Sequence, residues 1–291
     1  MQTPPPPTGT PLDLPPPQHQ PTEEGPAAWQ WWQGALALIT SFVGAGILVA
    51  IIFAVGSALF GGAADDPRGG VMLFGLVAQD VIFVFAVVLF AGLRGGRVRP
   101  WMLGMRDPQP SWGRAVLWIL AVYGALLALG AIWSVVVDIP EAEIVDDLGV
   151  KANDLAAIGG AFAICVAAPI AEELLFRGLL FPSLRGHIGL VAAALVTGLA
   201  FGAVHVVGSP IEALPLLAVF GALLCALYVK TRSLLPCMVV HSINNAITYA
   251  VLLDWGWQAP LLLAGSIGLI IGGYWLVRAR FGPAPLHLSP V

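Results

Sequence analysis

Eight stretches of apolar residues, each about long enough to cross a lipid bilayer, follow one another along this chain. They occupy residues 34–60, 71–93, 113–137, 155–181, 189–207, 211–229, 236–253 and 259–278. A spanning helix needs about 20 such residues, and it satisfies its own backbone hydrogen bonds where water is absent. The composition agrees, since 58% of the residues are hydrophobic and only 10% are charged. The sequence therefore predicts an all-α fold, a polytopic transmembrane bundle of about eight helices.

The fifth and sixth stretches are short, and only Gly208, Ser209 and Pro210 separate them. Glycine and proline between two apolar runs are typical of a turn. The pair is therefore either a tight hairpin of two spanning helices or one re-entrant element. The prediction of eight helices takes the two stretches as separate helices.

The composition also divides the chain into three regions. Residues 1–33 are rich in proline and poor in aliphatic residues, which predicts a disordered cytoplasmic tail. The membrane domain is expected over residues 34–280, and residues 281–291 form a short C-terminal tail.

Cationic residues in the loops predict the orientation of the bundle. They concentrate in alternate loops, after the second, fourth, sixth and eighth helices, whereas the opposite loops contain only Arg68 and Lys151. By the positive-inside rule, both termini are cytoplasmic. The net charge of −4 and the absence of a basic cluster from the sequence argue against a nucleic-acid partner, and lipid is the expected surrounding.

Two adjacent glutamates and an arginine interrupt the fourth apolar stretch. A charge inside a spanning helix costs about 2.5–3.5 kcal/mol on insertion scales, so Glu172, Glu173 and Arg177 must face one another, a wet cavity, or both. Glu173 and Arg177 are four residues apart, the spacing of an ion pair on one helix face. Glu172 lies about 100° round the helix and is left available for chemistry. A helix–helix clasp without catalysis is the alternative interpretation.

Two histidines and an asparagine are further polar groups inside the predicted spans. His205 follows Phe201 by one turn, and His241 and Asn245 are four residues apart, so each pair shares a helix face. Alone, each residue is as easily a packing group or an interhelical hydrogen bond worth about 0.6 kcal/mol. Together, a free carboxylate, two imidazoles and an amide can activate a water and stabilise an oxyanion.

Three motifs in order therefore mark residues 155–253: Glu172-Glu173-xxx-Arg177, Phe201-xxx-His205 and His241-xxx-Asn245. They resemble the motifs of the CAAX prenyl protease 2 and bacteriocin-processing (CPBP, or Abi) family of intramembrane glutamic endopeptidases. The resemblance implies an enzyme of the bacterial inner (plasma) membrane that hydrolyses a membrane-associated or lipidated, CAAX-like peptide or protein without a cofactor. Eukaryotic relatives cleave prenylated CAAX tails, whereas many prokaryotic relatives are linked to bacteriocin maturation or self-immunity.

The resemblance also implies a role for each motif residue. Glu172 and His205 would hold and activate the attacking water. His241 and Asn245 would stabilise the oxyanion of the tetrahedral intermediate. The remaining motif residues would orient and support this set: Glu173, Arg177 and Phe201.

Two other functions fit the same residues. In a zinc-dependent protease, His205, His241 and a glutamate would supply three ligands, although Asn245 is a poor zinc ligand and the sequence contains no HExxH. A non-catalytic scaffold or immunity protein, or a transporter with a proton relay, would use the same cavity for binding. A transporter would favour internal repeats, and the sequence shows no convincing one.

Overall fold

The computed structural model describes residues 29–60, 69–93, 97–140, 148–151 and 153–284. All regular structure in these residues is helical, and eight helices are long and apolar enough to span a membrane. They are α1 (Trp31–Phe60), α2 (Gly69–Gly92), α3 (Trp112–Val136), α4 (Asp154–Ile188), α5 (Leu190–Val204), α6 (Leu214–Thr231), α7 (Leu234–Leu252) and α8 (Gln258–Phe281). The predicted all-α, multi-pass fold is confirmed.

Parts of the predicted domain organisation lie outside the described residues. Residues 1–28 of the proline-rich tail and residues 285–291 of the C-terminal tail belong to this group. α1 begins at Trp31, three residues earlier than the sequence predicts. The cytoplasmic location of both termini stays a prediction, because the structure contains no membrane to define the two sides.

α7 is the most enclosed helix of the bundle. In its most apolar window, 61% of the residues are buried, against 11% in α1 and 17% in α3 and α8. The outer helices direct aliphatic side chains such as Ile47, Ile51 and Val55 outward. An apolar exterior of this kind is what a lipid-facing helix requires. The interior around α4 and α7 is therefore the place where polar groups can be kept away from lipid.

α1 and α2 pack side by side in opposite directions. The Gln33 amide donates to the Phe90 carbonyl (2.7 Å), and the rings of Phe42 and Phe83 lie 4.8 Å apart. Because the partner numbers fall along α2 as they rise along α1, the pair is antiparallel. α2 also packs against α4, the helix that carries the two glutamates.

α5 and α6 form a closely packed antiparallel hairpin. A Cβ on Gly198 would lie 2.5 Å from the Ala218 carbonyl oxygen, and a Cβ on Gly202 would lie 2.7 Å from that of Leu214. Only glycine permits backbones to approach this closely, as small residues do at many membrane helix contacts. The two stretches are thus two packed helices, each among the eight that are long and apolar enough to span a membrane. His205 lies at the end of α5, in the 3₁₀ turn His205–Val207.

Candidate active site

A proline shapes the part of α4 that precedes the glutamates. The helix widens to a π-helical segment at Ala163–Ala167. Pro169 has no N–H, so it cannot bond the Cys165 carbonyl in an α-helix or the Ile164 carbonyl in a π-helix. Two backbone acceptors are thereby released within the membrane interior, where each needs a donor.

Side chains of α7 supply those donors. Ser242 Oγ donates to the Cys165 carbonyl (2.6 Å), and Asn245 Nδ2 donates to the Ile164 carbonyl (2.9 Å). These two bonds fix the position of α7 along α4. The helix that carries His241 and Asn245 is therefore held against the helix that carries the two glutamates.

Glu173 and Arg177 form a fully buried ion pair within α4. Arg177 Nη1 lies 2.7 Å from Glu173 Oε1, and both side chains are completely inaccessible. Arg177 Nη2 donates to the Gly221 carbonyl of α6 (2.8 Å), and its guanidinium lies 4.7 Å from the centre of the Phe201 ring. The pair predicted from the i,i+4 spacing is present, and it connects α4 with both helices of the hairpin.

Glu172 points away from this ion pair toward two imidazoles. Its Oε2 lies 3.8 Å from His205 Nε2 and 3.8 Å from His241 Nε2. This oxygen is buried and has no hydrogen-bond partner among the described residues. A separation of 3.8 Å is too long for a hydrogen bond, yet one water oxygen can contact two groups so placed. The structure therefore brings together the carboxylate and both histidines that the sequence singled out.

The backbone of α5 orients His205. Its Nδ1 lies 2.6 Å from the Phe201 carbonyl, one turn earlier. A carbonyl only accepts, so Nδ1 carries a proton in this contact and Nε2 of the neutral ring keeps a lone pair toward Glu172. At 25% exposure its side chain is more accessible than those of Glu172 (13%) and His241 (3%).

The second glutamate orients His241. Its Nδ1 lies 2.9 Å from Glu173 Oε1, the same oxygen that pairs with Arg177. The carboxylate therefore places a proton on Nδ1. Nε2 can donate a hydrogen bond toward Glu172 only when the ring carries a second proton.

Aromatic rings enclose the two histidines. Phe201 is fully buried, and its ring centre lies 4.7 Å from that of His205 and 5.5 Å from that of His241. Phe220 packs edge-on against His241 at 5.6 Å. The phenylalanine rings exclude polar partners from these faces of the imidazoles. The Nε2 atom of each imidazole is directed at Glu172.

Asn245 differs from the other motif residues. The structure places its amide on the Ile164 carbonyl rather than on Glu172 or a histidine. An amide has two N–H donors, and this bond uses one of them. Asn245 lies on the same helix as His241, one turn further along.

Sequence reasoning missed two features of this site. One is the contact between Glu173 and His241, which no spacing within a single helix could predict. The other is Asp80, which is buried in α2 and lies within electrostatic range of Glu172. A single acidic residue within the apolar stretch 71–93 was the available signal.

Within the part of the chain that the structure describes, no three His, Cys, Asp or Glu side chains group as a metal site. The expectation that the reaction needs no cofactor stays a prediction.

Part of the chain matches a known protein family. Residues 154–247 match the model of the family described as Rce1-like, type II CAAX prenyl endopeptidase Rce1-like. This segment is about a third of the chain, and it includes every motif residue from Glu172 to Asn245. Comparisons with curated proteins and with solved structures gave no match. The family resemblance predicted from the three motifs is thus confirmed over residues 154–247.

Proposed function

We propose that this multi-pass membrane protein is an endopeptidase that uses Glu172 to cleave a peptide bond of a membrane-associated or lipidated substrate. The observation that carries the proposal is the placement of Glu172 Oε2 at 3.8 Å from both His205 Nε2 and His241 Nε2. The similarity of residues 154–247 to a family of membrane CAAX endopeptidases supports the same reaction class.

In the proposed reaction, Glu172 and His205 hold a water between them. Glu172 accepts a proton from that water, and the oxygen attacks the scissile carbonyl carbon. General-base catalysis of this kind contributes about 10²–10⁴-fold in rate. The lone pair of His205 Nε2 accepts the second water hydrogen and fixes the direction of attack.

The attack places a negative charge on the former carbonyl oxygen. The Nε2–H of protonated His241 and the second N–H of Asn245 are the proposed donors to that oxyanion. When the intermediate collapses, the C–N bond breaks and Glu172 returns its proton to the leaving amine. The products are an amine and a carboxylic acid, which passes its proton to the amine or to water, and Glu172 is again ionised.

The substrate is proposed to be a CAAX-like, lipid-linked segment at the membrane. Glu172 is enclosed in a bundle whose exterior is apolar, so a peptide must be held at the membrane to reach it. His205 has the most accessible side chain of the three, and the exposed apolar residues Val206 and Val207 follow it. We propose that the peptide approaches on this side, in a bacterial inner membrane.

The test compares membranes that contain wild-type protein with membranes that contain Glu172→Gln, by sequencing of newly formed N-termini. Glu172→Gln preserves shape but removes the base, so we expect the new termini to disappear while the melting temperature stays unchanged. Glu212→Gln, at an acidic residue outside the site, is the matched control and should leave them intact. Substantial cleavage by Glu172→Gln would show that Glu172 is not the base.

A non-catalytic scaffold is separated from the enzyme by phenotype. A strain that carries Glu172→Ala should behave like a strain that lacks the protein, because only catalysis is removed. Wild-type behaviour of the Glu172→Ala strain would favour the scaffold.

A further inference from the structure

Asp80 is the single charged residue in the sequence of α2, and it lies in the middle of that span. Its side chain is 4% exposed. Neither carboxyl oxygen has a hydrogen-bond partner among the described residues. A buried carboxyl group in this condition is costly unless it gains a proton, a partner or both. Structural packing alone gives no reason to keep an acid here, because leucine would fill the same space without that cost.

The ionisable groups that face α2 lie on one neighbour. α1 packs along α2 and contains no ionisable side chain. α4 also packs against α2, and its ionisable residues are Asp154, Cys165, Glu172, Glu173, Arg177, Arg185 and His187. Arg177 is paired with Glu173, and the Ala168–Glu173 segment of α4, which includes Glu172, packs directly against α2.

Asp80 and Glu172 are thus two carboxyl groups on packed helices, α2 and α4, in the interior of the bundle. The Oε2 atom of Glu172 also has no hydrogen-bond partner among the described residues. Burial without a partner disfavours the charged form of a carboxyl group, so Asp80 is expected to carry a proton that it can donate. The imidazoles of His205 and His241 lie beside Glu172, so Glu172 is the acceptor in this pair.

We propose that Asp80 is a positioning residue for Glu172: as a neutral acid it donates a hydrogen bond toward the Glu172 carboxylate, directly after a side-chain rotation or through one water. The bond restrains Glu172 in the orientation that faces His205 and His241. No group on α2 belongs to the segment that matches the endopeptidase family, so this contribution comes from outside it. The catalytic consequence rests on the proposed function.

The proton on Asp80 is measured without any substrate. Infrared spectra of the purified protein at neutral pH should contain a carboxylic-acid carbonyl band that Asp80→Asn removes. Glu172→Gln should shift this band, because the acceptor of the hydrogen bond has changed. Absence of the band, or a band that Glu172→Gln leaves unmoved, would overturn the proposal.

The effect on catalysis is measured with Asp80→Leu and Asp80→Asn. Asp80→Leu removes the donor, and we expect kcat to fall about 10- to 100-fold with KM nearly unchanged, as for a misplaced catalytic group. The melting temperature should stay level or rise, which a structural role would not produce. Asp80→Asn retains an N–H donor and should keep most of the activity.

Gln79→Leu is the matched control, since it removes a neighbouring polar group of α2 and should leave kcat unchanged. Wild-type kcat in Asp80→Leu, or equal loss in Asp80→Asn, would overturn the proposal. If wild-type protein cleaves nothing, the proposed function fails, and the infrared experiment still decides the state of Asp80.

Discussion

Nδ1 of His241 lies 2.9 Å from Oε1 of Glu173, although 68 positions separate the two residues in the sequence. The same oxygen accepts a hydrogen bond from Arg177 Nη1. One carboxylate therefore neutralises a buried guanidinium and orients a histidine of the site. Glu173 therefore couples the stability of α4 to the geometry of the site. Its neighbour Glu172 makes no such bond at Oε2 and stays available.

Breaking the buried Glu173–Arg177 pair by removing one partner should strongly destabilise the bundle. Glu173→Gln or Arg177→Met alone leaves an uncompensated buried charge, and each should lower the free energy of unfolding by about 3–5 kcal/mol. The double variant removes both charges of the pair, so its loss of unfolding free energy should be well below the sum of the two single losses. Unfolding in mild detergent measures all three, and additive losses would contradict the pairing.

Asn245 and Ser242 provide a matched comparison, because both donate to carbonyls released beside Pro169. Ser242→Ala should cost about 1 kcal/mol of stability and leave kcat intact. Asn245→Ala should lose a similar amount of stability and also about 10²–10³ in kcat, as for removal of an oxyanion donor. Cleavage assays corrected for folded fraction separate the two, and equal kcat in both variants would assign Asn245 to structure alone.

The α5–α6 hairpin should depend on its glycines. A methyl group at Gly198 would lie 2.5 Å from the Ala218 carbonyl oxygen, so Gly198→Ala should destabilise the protein by about 1–3 kcal/mol. It should also reduce cleavage, because His205 ends α5. At Gly130 of α3 nothing lies within 4 Å of an added Cβ, and Gly130→Ala should be neutral or stabilising by up to about 1 kcal/mol. Melting temperatures of the two variants make the comparison, and equal effects would contradict the close approach of α5 and α6.

Removal of metal should leave cleavage unchanged. In the proposed reaction Glu172 and His205 activate the water, so exhaustive chelation should not alter kcat, and elemental analysis should find no stoichiometric metal. Loss of cleavage that zinc restores would instead favour the zinc-dependent alternative, with His205, His241 and a glutamate as ligands. The same assay on Glu212→Gln controls for damage by the chelator.

The sequence by itself determined that this protein is surrounded by lipid, and it determined which side chains are neighbours within each helix. Eight long apolar stretches with few charges can satisfy their backbone only as membrane helices. Within one helix, the 3.6-residue period sets which side chains are neighbours, so the pairing of Glu173 with Arg177 followed from spacing. Three motifs in order were enough for the family resemblance over residues 154–247, which the family match bears out.

Only the tertiary structure decided which helices meet and which atoms face one another. Three features each join different helices: the bond from His241 to Glu173, the bond from Asn245 to the Ile164 carbonyl, and the packing of α2, which carries Asp80, against α4. Helical periodicity defines faces but does not say which face of one helix meets which face of another. Three kinds of contact determine which faces pack together: the close packing of glycines, the hydrogen bonds to carbonyls released by Pro169, and the burial of charge.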